Sequence, residues 1–478
     1  VSYTGDGKWM GAQGPSTYDS VYNGENYDAR VARALFKSSD DWVKAPKVEG
    51  PAGEMVAWSA PAVEVLATIP PKVITTPKPH LYVVDFGERR AGVVRLNGLT
   101  NCASGESIVM RHAEILQHQG LPDLKGHVDP TMIYVGNLRS AKATDIYTCA
   151  GGDVSWTPQL TYHGFRFVEI NTTNAPNVKI TNASVSMIHF ASAVEQVSHV
   201  HFSSDTLNKL QAMALGSQRS NLMTLPTDCD QRDERLGWLG DANLSGESFS
   251  LNFNMASLFH FWTANVAMPE LHTDGSLPDV APFVRFGNRP ADVSWSAALP
   301  NYLYTMWKAY GDLSIYKQGG GDEAVAMHVA NLGVQASKGL DHMRTPYGDW
   351  CPPPAKMGGG QGVKPSPPLT SAFSYLNVVK QAVELATAAG NTSAAAVYDT
   401  LHTKLLHEYN EAFYKGDGMY DTGTQTALTL GLALDASPQR NATQKALLDA
   451  IASKDTHSFT GIIGSSKLFW MLDAADAH

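Results

Sequence analysis

From Thr227 to Asn243 the chain reads TDCDQRDERLGWLGDAN. Five carboxylates (Asp228, Asp230, Asp233, Glu234, Asp241) and two arginines (Arg232, Arg235) fall in this short span, although only 17% of the protein is charged. When several carboxyl groups share a site, like-charge repulsion raises the pKa of at least one, which then stays protonated near neutral pH and can act as a general acid. The arginines hold the others ionised. Carboxyl groups with separated pKa values suit glycosidic bond cleavage, where one protonates the leaving oxygen and the other activates water or attacks carbon. Gly237 and Gly240 read as turn formers, and Trp238 offers a flat apolar face on which a sugar can stack. On these residues alone, an Arg-bridged helix entry without catalysis stands as an equal alternative.

The elements around the stretch decide where it sits. Residues 1 to about 65, rich in Gly, Pro, Tyr and Ser, read as loops and short strands, the tail and linker of a preceding β domain. Over 66–198, runs such as HLYVVDFG, AGVVRLNGL and YHGFRFVEI alternate with turns and predict an antiparallel β-sandwich. From 199 to 478 apolar residues recur at helical spacing. Leu376, Val379, Val383 and Ala386 form one stripe that stops at Gly390, and Leu299, Leu303, Met306 and Tyr310 form another that stops at Gly311. Helices are expected near 205–219, 241–266, 294–310, 321–340, 370–389, 392–414, 424–434, 440–453 and 461–474. Antiparallel helical hairpins of this kind pack into bundles or closed double rings. The acidic stretch then lies in the loop between the first two helices.

Composition narrows the partners. The 478 residues carry a formal net charge of -10 with no long basic run, which argues against nucleic acid and against a polybasic membrane patch. No apolar run approaches the ~18 residues that a membrane span needs. No metal cluster, phosphate loop or nucleotide fingerprint stands out, so no cofactor is expected. Cys102 and Cys149 lie in the same strand-rich region and can bridge; Cys229 and Cys351 are isolated. Sequons at Asn171, Asn182, Asn243, Asn391 and Asn441 favour a secreted, extracellular glycoprotein. A glycan on Asn243 would crowd Asp241, so Asn243 is expected to be unmodified.

The acidic stretch resembles the signature of glycoside hydrolase family 78, the inverting α-L-rhamnosidases, whose common form reads close to D-C-P-Q-R-D-E-R-L-G-W-x-G-D-A. Asp230 stands here where proline is usual. YNGENYDAR (22–30), YVVDFG (82–87), RHAEIL (111–116), ATDIYT (143–148), TYHGFRFVEI (161–170), DGSLPDVAP (274–282), YGDW (347–350) and TGTQTA (422–427) agree in order, so the resemblance spans essentially the whole chain. It implies a β-sandwich followed by an (α/α)6 six-hairpin toroid. It also implies that Glu234 is the general acid, that Asp228 and Asp241 bind rhamnose hydroxyls and keep Glu234 protonated, and that Trp238 lines the pocket around the C6 methyl. Arg232, Asp233, Trp295 and Trp350 join the sugar-binding set. Asp349 either joins it or caps a helix. His163 and Arg166 read as structural.

One departure from the family stands out. An inverting enzyme needs a general base on the far face of the sugar, and in the family that glutamate follows the segment that TGIIGSSKLFWMLDAADAH resembles. No residue of this chain is a candidate for it. About three helices and one carboxylate are therefore expected beyond His478, from a second polypeptide or a longer chain that completes the toroid and covers the apolar faces of 440–474. The expected substrate is a rhamnosylated glycoside or polysaccharide. The alternatives are a lyase that removes rhamnose from a uronic acid, and a carbohydrate-binding relative without turnover.

Overall fold

The computed structural model describes residues 8–35, 42–50, 52–121, 128–284, 286–354 and 363–475. Internal contacts divide the chain into two compact units, one of residues 1–193 and 200–235, the other of 194–199 and 236–478. By internal contacts the helix Asp205–Ser220 and the acidic loop through Arg235 group with the strands.

The first unit is built on β1 (Ser16–Ser20), β2 (Gly24–Asp28), β3 (Val63–Ile69), β4 (Val73–Lys78), β5 (Leu81–Leu99), β6 (Ser107–Ala113), β7 (Thr144–Thr148), β8 (Val154–Trp156), β9 (His163–Asn171) and β10 (Val185–Ser192). Eight follow the order β1-β2-β7-β6-β9-β5-β10-β3, and β4 and β8 add to β5. The strands follow one hydrogen-bonded path, because β5 is long enough to pair with β9 over its first half and with β10 and β8 over its second. The path folds over on itself, since Trp156 of β8 meets Tyr27 of β2 and Tyr147 of β7 with ring centroids 5.5 and 5.3 Å apart. One expectation is corrected: the strands are not wholly antiparallel, because β2 and β7 run parallel, which the long excursion between them permits. β1 and β2, from the segment read as the tail of a separate domain, belong to this sheet.

One face of the sheet carries the core, with Val84, Leu96, Ile108, Met110, Phe165, Val168, Ile170 and Met187 packed together. The Cys102–Cys149 disulfide forms beside it. Opposite Arg166 alone, β5 spends Phe86 to Arg89, a bulge opened by Gly87 at φ 85°. Arg166 closes the bulge with two 2.7 Å bonds to Asp85, the structural role expected of it. Helix α1 (Ala29–Leu35) and helix α2 (Asp205–Ser220) complete the unit.

The second unit holds α3 (Leu239–Asn252), α4 (Ala256–Trp262), α5 (Val293–Ser296), α6 (Ala298–Tyr310), α7 (Ser314–Gln318), α8 (Gly321–Gln335), α9 (Pro367–Ala389), α10 (Thr392–Phe413), α11 (Gln425–Ala433), α12 (Arg440–Ala452) and α13 (Ile462–Asp473). Their burial alternates. α9 and α11 are buried nearly all round, whereas α10 and α12 bury a single stripe, the pattern of inner and outer layers of helical hairpins. Gly311 (φ 68°) and Gly390 (φ 82°) end α6 and α9 in the left-handed conformation, as their positions predicted. The single helix expected over 241–266 breaks at Phe253, whose extended φ/ψ ends α3 before α4 begins.

Polar ties join the inner helices. Asn243 Nδ2 donates to Ser294 O at 2.8 Å, Asn301 Nδ2 to Asn243 O at 3.0 Å, and Gln381 Nε2 to Asn301 Oδ1 at 2.9 Å. The nitrogen of Asn243 that a glycan would modify is therefore already engaged.

Candidate active site

In the first unit the acidic loop leaves α2 through a short hairpin, Leu222–Met223 with Leu225–Pro226, and is strapped to the sheet. Tyr22 Oη donates to Glu234 O at 2.6 Å. Arg235, at φ 54°, sends its Nη1 to the carbonyls of Val21 and Tyr162 and lies over the rings of Tyr22 (5.6 Å) and Tyr162 (4.9 Å). The YNGE and TYHGF elements are thus the bed of the acid loop. The left-handed residue of the stretch is Arg235; Gly237 and Gly240 keep ordinary φ.

Guanidinium groups partner the carboxylates of this loop. Glu234 Oε2 meets Arg232 Nε at 2.8 Å and Arg139 Nη2 at 3.1 Å. Arg139 also holds Asp233 Oδ1 at 2.5 Å, and Ser140 donates to Asp233 Oδ2. Although desolvation opposes it, these bonds lower the pKa of Asp233. Asp228 lies 3.5 Å from Arg232. Asp230, the residue in the proline position, is fully buried, and Arg89 from the β5 bulge ion-pairs with it and with Glu114. Burial pushes the Asp230 carboxyl up, and Glu114 adds to this while Arg89 and Arg235 oppose it. So it is dehydration, rather than crowding among neighbours, that raises a carboxyl here. Asp228 and Arg232 also line a cavity of about 690 Å3 with Arg89, Glu114 and Met213.

In the second unit the motif continues as a scaffold. Trp238 bridges to Val280, Ala281 N donates to Gly237 O at 2.9 Å and Leu239 N to Asp279 O at 2.8 Å, which ties the motif to DGSLPDVAP. Tyr347 sits among three tryptophans, with ring centroids 4.7 Å from Trp295, 5.6 Å from Trp350 and 6.2 Å from Trp238. Its hydroxyl donates to Asp279 Oδ2 at 2.7 Å. A Cβ on Gly240 would come within 2.2 Å of the Trp295 ring, so this glycine serves close approach and not a turn. Trp350 is 45% exposed, whereas Trp295 is buried. Asp241, in the first turn of α3, is exposed.

The chain matches the model of the bacterial alpha-L-rhamnosidase six-hairpin glycosidase domain over residues 195–478. It also matches the concanavalin-like domain of the same enzymes over 75–189 and their N-terminal domain over 2–67. The chain belongs to the bacterial α-L-rhamnosidase family. An α-L-rhamnosidase of Streptomyces avermitilis is 31% identical over 97% of this chain and 43% of its own length, and one of Formosa agariphila 27% over 99% and 50%. The solved α-L-rhamnosidase of Dictyoglumus thermophilum superimposes with a TM-score of 0.87 at 31% identity, over 99% of this chain and 52% of that one. The Streptomyces avermitilis enzyme complexed with L-rhamnose gives 0.87 at 29%, over 98% and 43%. The present chain therefore spans about half the length of these relatives.

Within this family frame, the structure sorts the expected site residues. Asp228, Arg232, Asp233 and Glu234 come together in the first unit; Trp238, Trp295 and Trp350 gather round Tyr347 in the second. Asp349 caps a helix. It is buried, and its two oxygens accept from Gly461 N (2.7 Å), Ile463 N (3.0 Å) and Gly464 N (3.1 Å) at the start of α13 and from the Thr426 hydroxyl of α11. Sequence reasoning missed Tyr347, Asp279 and Arg139. Tyr347 stood beside the quoted Trp350 and could have been picked; Arg139 carried no local signal, because its partners lie 94 residues on.

His112, Asp145 and His163 form a buried group with metal-ligating side chains. The two imidazoles stack, with centroids 4.1 Å apart and planes 21° from parallel, so no single ion can lie in both ring planes. Asp145 accepts from Glu25 N at 2.9 Å and contacts His163 Nε2 at 3.1 Å, which reads as a buried polar network. Among the described residues, no helix is long and apolar enough to cross a membrane.

Proposed function

We propose that this protein is an inverting α-L-rhamnosidase in which Glu234 protonates the glycosidic oxygen of a terminal α-L-rhamnoside. The observation that carries the proposal is the mounting of Glu234: its backbone is fixed by Tyr22 and by Arg235, while its carboxylate is held through side chains that a ligand can displace. A general acid needs a fixed position and exchangeable partners. Asp228, Arg232 and Asp241 take the sugar hydroxyls, and Trp238, Trp350 and Tyr347 provide apolar rings, with Trp295 packed behind Tyr347. Asp233 and Asp349 serve as scaffold.

Inversion also requires a general base about 6.5–9.5 Å from the acid. We assign it, with the helices that close the toroid, to sequence additional to these residues, on the same or a second polypeptide. The relatives' greater length supports this, as does α13, where Phe469 and Trp470 are 72% and 58% exposed. The Cys102–Cys149 disulfide favours secretion into an oxidising compartment.

The test is proton NMR of a rhamnosyl disaccharide in the first minutes of incubation. β-L-rhamnose should appear first, and Glu234→Gln should slow release by about 10²–10⁴-fold with the fold intact. An unchanged rate in that variant, or α-L-rhamnose as the first product, refutes the proposal.

A further inference from the structure

The sheet of the first unit has a second face, away from the core, and β1, β2, β7, β6 and β9 carry a groove of about 590 Å3 across it. Strand register aligns its residues in two rows. Tyr18 pairs with Asn26, Asn26 with Ile146, Ile146 with Val109 and Val109 with Asn171. One step along, Thr144 pairs with Arg111 and Arg111 with Glu169. The period of two puts both rows on the face opposite Ile108, Met110, Val168 and Ile170 of the core.

The chemistry of the second row is unusual. Arg111 and Glu169 face each other as Cα partners, are both half-buried, and carry opposite charge. Directly opposed charges in a sheet normally pair. Here the Arg111 Nε is buried without a hydrogen-bond partner, and Glu169 makes no ion pair and no side-chain hydrogen bond among the described residues. Burial raises the Glu169 pKa, with Arg111 and Lys78 opposing it from a distance. A guanidinium whose Nε is buried without a partner thus stands beside an acceptor on a floor made by Val109 and Ile146. A buried donor of this kind normally finds a partner.

We propose that this groove is a non-catalytic binding site for a neutral pyranose residue of a glycan. A vicinal diol satisfies both groups at once: one hydroxyl donates to Glu169, and its neighbour accepts from Arg111. The amide of Asn26 serves a further hydroxyl, the apolar floor takes a C–H face, and the ring of Tyr18, 45% exposed, walls one end. The site is independent of the rhamnosidase reading, since every residue in it lies in the first unit and none belongs to the acid loop.

The experiment is a TROSY titration of the full chain with methyl α-L-rhamnoside, methyl β-D-glucoside and methyl α-D-galactoside in turn, up to tens of millimolar. The side-chain amide signal of Asn26 is expected to shift and saturate with at least one of them. The dissociation constant should be on the order of 1 mM, which ordinary ligand efficiency gives for a dozen heavy atoms. Arg111→Ala and, independently, Glu169→Ala should weaken this response at least about tenfold, each removing one arm of the diol contact and leaving a sugar hydroxyl unpaired. The Trp238 indole signal reports on the other proposed sugar pocket, so failure of either idea is seen separately. If none of the three glycosides moves the Asn26 signal, or if both variants respond like the parent, the groove is not a sugar site.

Discussion

The acid loop of the first unit and the YGDW region of the second both gather acidic side chains, yet they hold them with different partners. Around Glu234, Asp233 and Asp230 the partners are guanidinium side chains of Arg139, Arg232 and Arg89. Around Asp279, Asp292 and Asp349 they are mainly backbone N–H groups. A backbone donor cannot leave without unfolding its element, whereas a long side chain can rotate toward a ligand. The first arrangement suits carboxylates that exchange partners during a reaction, and the second suits carboxylates that define shape.

The largest effect on stability should come from Asp349→Ala. Three backbone N–H groups at the start of α13 and the Thr426 hydroxyl lose their acceptor at a buried site. Each unsatisfied group costs about 1–3 kcal/mol, so a loss of more than about 3 kcal/mol is expected in urea unfolding. A near-neutral result would place Asp349 among the exchangeable carboxylates and break the contrast.

A second measure of the contrast is pH. His328 is buried in α8 with its Nδ1 3.1 Å from Gly275 O, and burial lowers its pKa from 6.5 to about 4. The unfolded chain binds this proton first. Stability from His328 is therefore complete above pH 6.5 and falls by about 1.4 kcal/mol per unit between 6.5 and 4. His328→Gln should flatten that slope in stability measured against pH. In the first unit, burial likewise lowers His112, to about 3, but raises Asp145 beside it, so the two act with opposite signs as the pH falls. An equal slope after substitution would mean that His328 is not the dehydrated group that its burial implies.

These contrasts also mark what could be read from the chain alone. Local signals held: the apolar stripe from Leu376 to Ala386 and its stop at Gly390 became α9 and its cap, because helix periodicity and a left-handed glycine are properties of neighbours in sequence. The acid stretch was visible through its own residue types, and so was its place after the first long helix. Long-range partners were not legible. Asp349 looked like a sugar ligand or a cap, and only Gly461, Ile463 and Gly464, more than 110 residues later, decide for the cap. Gly240 read as a turn former because its real reason, the ring of Trp295, lies on another helix. The grouping of the acid loop with the sheet had the same origin, since Tyr22 and Tyr162 lie far from the loop and from each other in sequence.

Gly240→Ala tests that reading at intermediate size. The added methyl meets the Trp295 ring within van der Waals distance. Overpacking of this kind costs about 1–3 kcal/mol, whereas a glycine kept only for a helix position would gain stability from alanine. The sign of the change in unfolding midpoint decides between them.

The smallest stability effect is expected where the guanidinium class is most exposed. Arg139 is 48% exposed at its side chain and bridges Asp233 and Glu234. Exposed ion pairs contribute about 1 kcal/mol or less, so Arg139→Ala should barely shift the unfolding midpoint at neutral pH. Asp233 has a lowered pKa, so the stability it shares with Arg139 is present above the ordinary carboxylate range and is lost as the pH falls through its folded value. The variant and parent should therefore converge in acid. If Arg139 orients Glu234, rhamnoside cleavage by the variant falls far more than its stability does. A loss of stability as large as that of Asp349→Ala would instead make this arginine part of the scaffold and erase the distinction between the two kinds of carboxylate.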